Sequence, residues 1–158
     1  MDELAKKIGQ RLKAANAVLV TAESCTGGWA AQVVTSVAGS SAWFDRGFIT
    51  YSNAAKRELL GVPAETLVQH GAVSEETARE MALGALARSQ GSVAVSITGV
   101  AGPTGGTKDK PVGTVCFAWA RAGRVHAETR HFPGDRESVR KQSVIRALEG
   151  VLSALDGG

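Results

Sequence analysis

Ser24 lies at a place in the sequence where a hydroxyl could do chemistry. It follows a short apolar run, AVLVTAE at 17–23, which is typical of a strand covered on both faces. The residues after it predict a helix that begins at Ser24, and a helix N-terminus offers free N–H groups and a positive dipole end. Ser24 could therefore attack a carbonyl carbon, with the backbone N–H groups of Cys25, Thr26 and Gly27 stabilising the oxyanion.

Two other interpretations of this segment stay open. Ser24 could serve only as the N-cap of the helix, a role in which serine is common. Cys25 could be the nucleophile instead, because a thiol at a helix N-terminus has a depressed pKa. No histidine of the chain lies in a recognisable partner motif for such a thiol.

Tyr51 and Lys56 form a second candidate group, in the segment YSNAAK. Tyr51 ends a predicted strand and Lys56 lies one turn into the next helix, so both can project from the same edge. A lysine in a partly desolvated pocket loses proton affinity and can act as a base, and a tyrosine hydroxyl can relay or orient the proton. The structural alternative is an edge tyrosine and a solvated lysine.

A glycine-rich loop at 98–113 is the third candidate, and it includes Thr98, Gly99 and Gly102. Its glycines would let backbone N–H groups approach an anion, and Lys108 or Lys110 could add charge. The loop has neither the Gly-Lys-Ser/Thr of a P-loop nor the spacing of a dinucleotide fingerprint. It could also be a plain crossover or a mobile segment.

Composition excludes several functional classes. The 158 residues suffice for one domain over 1–158, and 44% of them are hydrophobic. Two cysteines and three histidines without ligand spacing predict no metal site and no cofactor. No apolar run is long enough for a membrane span, and no signal peptide is recognisable, so we expect a cytoplasmic protein without a membrane partner. Scattered basic residues and 5% aromatic residues argue against nucleic-acid binding, whereas a net charge of +3 suits an anionic ligand.

The remaining patterns predict a three-layer α/β/α sandwich with a mixed, partly parallel sheet. The predicted helices are an opening amphipathic helix through Leu4, Ile8 and Leu12, a helix from Ser24 to Val37, one from Asn53 to Leu60, one N-capped by Ser74 and a last one N-capped by Asp135. The predicted strands cover 17–23, 41–52, 92–98, 113–120 and 124–132, and the last two form a hairpin.

Four segments occur together and in order: AESCTGG, FITYSNAAKRELLGV, GAVSEETAREMA and SITGVAGPTGGTKDKPVGTV. Jointly they resemble the CinA C-terminal-domain family, from about Leu4 to Leu155. The enzymes of that family are nicotinamide-nucleotide amidohydrolases, so the resemblance implies hydrolysis of nicotinamide mononucleotide to nicotinate mononucleotide and ammonia in pyridine-nucleotide salvage. It also implies that Ser24 is the nucleophile, that Lys56 and Tyr51 handle protons, and that Thr98 belongs to the site.

We therefore predict an amidase in which neutral Lys56 takes the proton of Ser24. Charge alone suggests Arg140 or Lys141 for the 5′-phosphate of the substrate. The chain is also expected to form a homo-oligomer, with a dimer as the first expectation. The competing hypotheses are a non-catalytic nucleotide-binding or regulatory module of the same fold, and a cysteine hydrolase built on Cys25.

Overall fold

Helices and strands alternate along most of the chain in the computed structural model, which describes residues 1–157. The strands are β1 (Leu19–Glu23), β2 (Phe44–Ile49), β3 (Val93–Gly99), β4 (Thr114–Arg121) and β5 (Arg124–His131). The α-helices are α1 (Asp2–Ala14), α2 (Trp29–Thr35), α3 (Asn53–Leu60), α4 (Ala64–His70), α5 (Glu75–Ala87) and α6 (Arg136–Leu155). No helix within 1–157 is both long and apolar enough to cross a membrane.

The five strands form one mixed sheet in the order β2-β1-β3-β4-β5. β1 lies between β2 and β3 and is parallel to both, whereas β4 and β5 are antiparallel additions. β1 and β3 are buried on both faces, which explains why their sequences are continuous apolar runs. The predicted partly parallel, mixed sheet is confirmed.

Helices cover the sheet on both faces and give the domain two apolar cores. α1, α2 and α6 pack on one face, around Ile8, Leu19, Phe117 and Leu148. α5 packs on the other face with α3 and α4 against it, around Leu60 and the alanine-rich stripe of α5. The predicted three-layer α/β/α architecture is therefore confirmed.

Several predicted helix boundaries are also confirmed. Ser74 and Asp135 accept hydrogen bonds from the backbone N–H groups of residues 77 and 138, so each is an N-cap. α3 spans Asn53–Leu60 as predicted and ends at Gly61, whose φ of 70° closes the helix in the left-handed region.

The prediction for α2 is wrong, and α4 was not predicted from the sequence. α2 begins at Trp29 rather than Ser24, because residues 24–28 form a turn before it. β2 is shorter than the predicted 41–52, with a 3₁₀ turn before it at Ser40–Ala42. α4 begins directly after Pro63, which occupies its N-cap position.

α3 and α5 approach each other closely, and this contact fixes the position of α3. A Cβ added at Gly84 would lie 2.0 Å from the backbone oxygen of Leu60, so only glycine allows this contact. α3 carries Lys56, and the position of that side chain therefore depends on the absence of a side chain on α5.

We predict that Gly84→Ala lowers the free energy of unfolding by about 1–3 kcal/mol, the usual cost of overpacking. The added methyl group must push α3 away from α5. Urea denaturation of Gly84→Ala and of Leu83→Ala checks this, because Leu83 is the neighbouring residue and is 47% exposed. Equal stability of the two variants would contradict the tight contact.

Candidate active site

Three parallel strands end side by side and bring the sequence-predicted residues together. Ser24 directly follows β1, and its N–H donates to the carbonyl of Ile97 in β3 at 2.9 Å. Thr50 follows β2, and its N–H donates to the carbonyl of Glu23 at 2.8 Å. Thr98 lies at the end of β3. This is the carboxyl edge of the parallel strands, where α/β sheets commonly bind ligands.

The amine of Lys56 reaches this edge from the first turn of α3. Its Nζ lies 2.9 Å from Ser24 Oγ, 3.0 Å from the carbonyl oxygen of Thr50 and 3.2 Å from that of Tyr51. Lys56 is only 1% exposed, so its whole stem is buried. The predicted pairing of Ser24 with Lys56 is thus present as a direct hydrogen bond.

The surroundings of Lys56 favour the neutral amine. Desolvation by burial lowers the pKa of Lys56 from its ordinary value of 10.5. A neutral amine has two N–H groups, which match the carbonyls of Thr50 and Tyr51, and one lone pair. That lone pair is left for the Ser24 hydroxyl, which can donate its proton to it.

The turn that carries Ser24 is folded over the carboxylate of Glu23. Glu23 Oε1 accepts from the Thr26 hydroxyl at 2.6 Å and from the N–H groups of Gly28 and Ala30 at 3.2 and 3.0 Å. Its Oε2 accepts from the N–H of Ala31 at 3.0 Å. Glu23 therefore does what a capping residue does for α2, and the interpretation of Ser24 as an N-cap is wrong.

Two of the three N–H groups predicted for the oxyanion bind no oxygen within residues 1–157, but only Cys25 lines the cavity, since Thr26 is fully buried. The N–H of Gly27 donates to the Ser24 carbonyl at 3.1 Å, so it is already engaged. The N–H groups of Cys25 and Thr26 donate to no backbone or side-chain oxygen within residues 1–157. Both belong to the turn that begins at Ser24, where a donor to an oxyanion is needed.

The thiol of Cys25 is placed poorly for nucleophilic attack. Cys25 is 6% exposed, and burial raises the pKa of its thiol to about 11. A thiol with that pKa is almost entirely protonated at neutral pH, whereas the thiolate is the reactive form. The helix N–H groups that were expected to lower its pKa are engaged by Glu23 instead.

Tyr51 contributes to the described contacts through its backbone. Its carbonyl oxygen accepts from Lys56 Nζ and lies 3.4 Å from Ser24 Oγ. The side chain is 65% exposed at the mouth of the cavity, and its hydroxyl has no hydrogen-bond partner within residues 1–157. A proton relay through this hydroxyl therefore stays a prediction.

A cavity of about 250 Å³ opens above Ser24 and Lys56. Thr98 and Gly99 line it, and the Thr98 hydroxyl donates to the carbonyl of Ala72 at 2.8 Å. Gly102, Lys108 and Lys110 do not line this cavity. The predicted glycine-rich loop therefore contributes its first residues to the site rather than its lysines.

Arg136 is a basic residue of the cavity that the sequence analysis missed. One of its N–H groups donates to the carbonyl of Gly102 at 2.7 Å, and the side chain borders the same cavity as Ser24. Arg140, the predicted phosphate ligand, does not line this cavity and donates to the carbonyls of Cys25 and Thr26 at 3.0 and 3.2 Å, so its phosphate role stays a prediction. Arg140 thus holds the outside of the serine turn.

A larger cavity, about 850 Å³, lies at the other edge of the sheet between β5 and α6. Trp119, His126 and Arg146 line it, but it contains no nucleophile paired with a base. The smaller cavity is the better candidate because it holds the buried Ser24–Lys56 pair. No group of His, Cys, Asp and Glu side chains suited to a metal ion exists in the described part of the chain.

Glu23 is the other residue that the sequence analysis missed. Its carboxylate ends an otherwise apolar run and lies three residues before a threonine. That pattern is a usable signal, because a buried acid must find donors and Thr26 with the following backbone can supply them.

Known proteins share the sequence and the fold of this chain over nearly its whole length. The model of the CinA C-terminal domain matches residues 1–155. The nicotinamide-nucleotide amidohydrolase PncC of Escherichia coli K12 is 57% identical over 149 residues, which is 93% of this chain and 90% of that protein. PncC of Pseudomonas putida is 54% identical over 149 residues, with 94% and 93% of the two chains covered.

A solved structure has the same fold. The competence/damage inducible protein CihA from Agrobacterium tumefaciens superposes with a TM-score of 0.93 at 49% identity and covers 98% of this chain and 94% of its own. Family model, sequence relatives and structure thus agree over nearly the whole length. The chain belongs to the CinA C-terminal domain family.

Proposed function

We propose that this protein is a nicotinamide-nucleotide amidohydrolase that converts nicotinamide mononucleotide and water into nicotinate mononucleotide and ammonia, in pyridine-nucleotide salvage. The observation that carries this proposal is the 2.9 Å contact between Ser24 Oγ and the buried amine of Lys56. The names of the E. coli and P. putida relatives support the substrate. A serine activated by a neutral lysine is suited to acyl transfer from an amide.

The first half of the reaction forms an acyl-enzyme. Ser24 Oγ attacks the carboxamide carbon while Lys56 Nζ takes its proton. The N–H group of Cys25 donates to the oxyanion. Lys56 then returns the proton to the leaving nitrogen, the C–N bond breaks, and ammonia departs.

The second half uses the same groups with water as the nucleophile. Lys56 takes a proton from a water molecule, which attacks the ester carbon of the acylated Ser24. Collapse of the second tetrahedral intermediate breaks the ester bond, and the proton on Lys56 returns to Ser24 Oγ. Nicotinate mononucleotide leaves, and the amine is neutral again for the next cycle.

Substrate orientation follows from the residues around the cavity. The cavity of about 250 Å³ accommodates the carboxamide end of the substrate, so the ribose and phosphate extend past its mouth. Arg136 is exposed beside this mouth, and we assign it to the 5′-phosphate in place of Arg140. Arginine suits phosphate because its planar guanidinium can donate two parallel hydrogen bonds.

The competing hypotheses have less support. A cysteine hydrolase requires a thiolate, and burial raises the pKa of Cys25 to about 11. A non-catalytic binding module would gain nothing from burying an amine beside a hydroxyl, since desolvation of that amine costs free energy. Neither alternative explains why Lys56 lies against Ser24.

Substitution of Ser24 and Cys25 tests the nucleophile. Ser24→Ala should abolish ammonia release from nicotinamide mononucleotide and leave binding nearly intact, because a hydroxyl contributes little ground-state affinity. Cys25→Ala should retain much of the activity, since only the backbone N–H of residue 25 is required. For each variant, ammonia release measures turnover and titration calorimetry measures binding of the nucleotide. Near wild-type turnover by folded Ser24→Ala would refute the assignment, and loss of activity in Cys25→Ala alone would restore the cysteine hypothesis.

The pH dependence of kcat/KM tests Lys56 as the base. Only the neutral amine can accept a proton, and the folded-state pKa is lowered, so activity should rise with pH through a midpoint below 10.5. Lys56→Met, which preserves most of the volume, should lose about 10²- to 10⁴-fold in kcat, the usual contribution of a general base. If kcat/KM of Lys56→Met still rose with pH through the same midpoint, the titrating group would be one other than Lys56.

Arg136→Gln tests phosphate recognition. KM for nicotinamide mononucleotide should rise about tenfold or more, the effect of losing a charge-assisted hydrogen bond. KM for nicotinamide riboside, which has no phosphate, should barely change. Lys141→Gln is the matched control, because Lys141 is exposed on the same helix and does not line the cavity. Equal losses on both substrates would contradict the phosphate role.

A further inference from the structure

We propose that the carboxylate of Glu23 is a positioning group that sets the geometry of Ser24 and of the turn after it; this inference rests on the proposed function. Glu23 is 1% exposed, and its side chain touches neither the Lys56 amine nor the cavity above it. It is therefore not a catalytic residue. Its carboxylate collects four hydrogen bonds, all from the turn and helix that follow Ser24.

The carboxylate determines how the chain leaves β1. The N–H groups of Gly28, Ala30 and Ala31 at the start of α2 all donate to it, so the chain folds around the Glu23 side chain before the helix begins. The helix start is thereby engaged by the protein and is not available to the substrate. The free N–H groups of Cys25 and Thr26 lie in the loop of chain that this arrangement holds in place.

The backbone of Glu23 fixes the other half of the site. Its carbonyl accepts from the N–H of Thr50 at 2.8 Å and from the Thr50 hydroxyl at 3.4 Å. The carbonyl of Thr50 in turn accepts from Lys56 Nζ. Glu23 therefore anchors the turn of the nucleophile through its carboxylate and the strand end of the base through its backbone carbonyl, which Glu23→Gln leaves in place.

A carboxylate is required because every partner is a donor. In Glu23→Gln one oxygen becomes an amide NH₂ group, which has hydrogens to donate and cannot accept. Whichever way the amide is oriented, at least one N–H or O–H donor then faces another donor. The turn must shift, and a displacement of about 1 Å at a catalytic group can cost on the order of 10²-fold in rate.

The test compares Glu23→Gln with Asp45→Asn in ammonia release from nicotinamide mononucleotide. Asp45 is a matched control, because its carboxylate also accepts a backbone N–H, from Gln90 at 2.8 Å, but at the start of β2. Glu23→Gln should lower kcat about 10²-fold with KM nearly unchanged. The pH midpoint should stay in place, because the surroundings of Lys56 are retained. Asp45→Asn should keep the wild-type kcat.

Thr26 provides a second pair of variants in case Glu23→Gln does not fold. Thr26→Val removes the hydroxyl that donates to Glu23 and should lower kcat, whereas Thr26→Ser keeps the hydroxyl and should be clearly faster than Thr26→Val. Folded Glu23→Gln with a kcat within about threefold of wild type would overturn the proposal. So would a loss that appears only in KM, or equal rates for the two Thr26 variants.

A serine-directed phosphonofluoridate separates this inference from the proposed function. Intact mass measures how fast Ser24 is modified without any nucleotide substrate. If the wild type does not hydrolyse nicotinamide mononucleotide, the proposed function fails, but slower modification of Glu23→Gln than of Asp45→Asn still supports the positioning role. Equal modification rates, or no modification of Ser24 in the wild type, would overturn it.

Discussion

Burial of the Lys56 amine with only uncharged hydrogen-bond partners within residues 1–157 is the constraint on which the site depends. All three partners of its Nζ are neutral oxygens, so a protonated amine would lack the counter-charge that usually offsets desolvation. Desolvation by burial lowers the pKa of Lys56 and so shifts the amine towards its neutral form. The same form is the one that can accept a proton from Ser24, so the requirement for stability and the requirement for chemistry coincide.

The order of the strands makes this arrangement possible. β1 lies between β2 and β3 with all three parallel, so the residue after β1 is flanked by the ends of both neighbours. Ser24 is bonded to β3 through its N–H, and the end of β2 supplies the carbonyls that hold Lys56. The antiparallel pair β4 and β5 extends the sheet on the far side of β3 and leaves this edge open.

The sequence predicts the architecture from local patterns, whereas it predicts the Ser24–Lys56 pair only through the resemblance of its four motifs to a known family. Apolar runs identify β1 and β3, and the capping residues Ser74 and Asp135 locate two helix starts. The start of α2 could not be predicted in the same way, because it depends on the Glu23 side chain. This side chain extends from the end of β1 and accepts hydrogen bonds from the N–H groups at the start of the helix. The exposure of the Tyr51 ring depends on its rotamer. The contacts of Arg140 with the carbonyls of Cys25 and Thr26 depend on how α6 packs. The composition of the sequence encodes neither.

The nucleophile and the base belong to opposite layers of the sandwich. Ser24 leads into α2, which packs in the core shared with α1 and α6, whereas Lys56 is carried by α3, which rests on α5 in the other core. A hydrogen bond of 2.9 Å therefore spans two separately packed halves of the molecule. A displacement of α3 by about 1 Å relative to the sheet would lengthen this hydrogen bond without disturbing the core on the other face. Catalytic activity therefore depends on how the two layers are aligned with each other. Heat or denaturant can then inactivate the protein before its helical structure is lost.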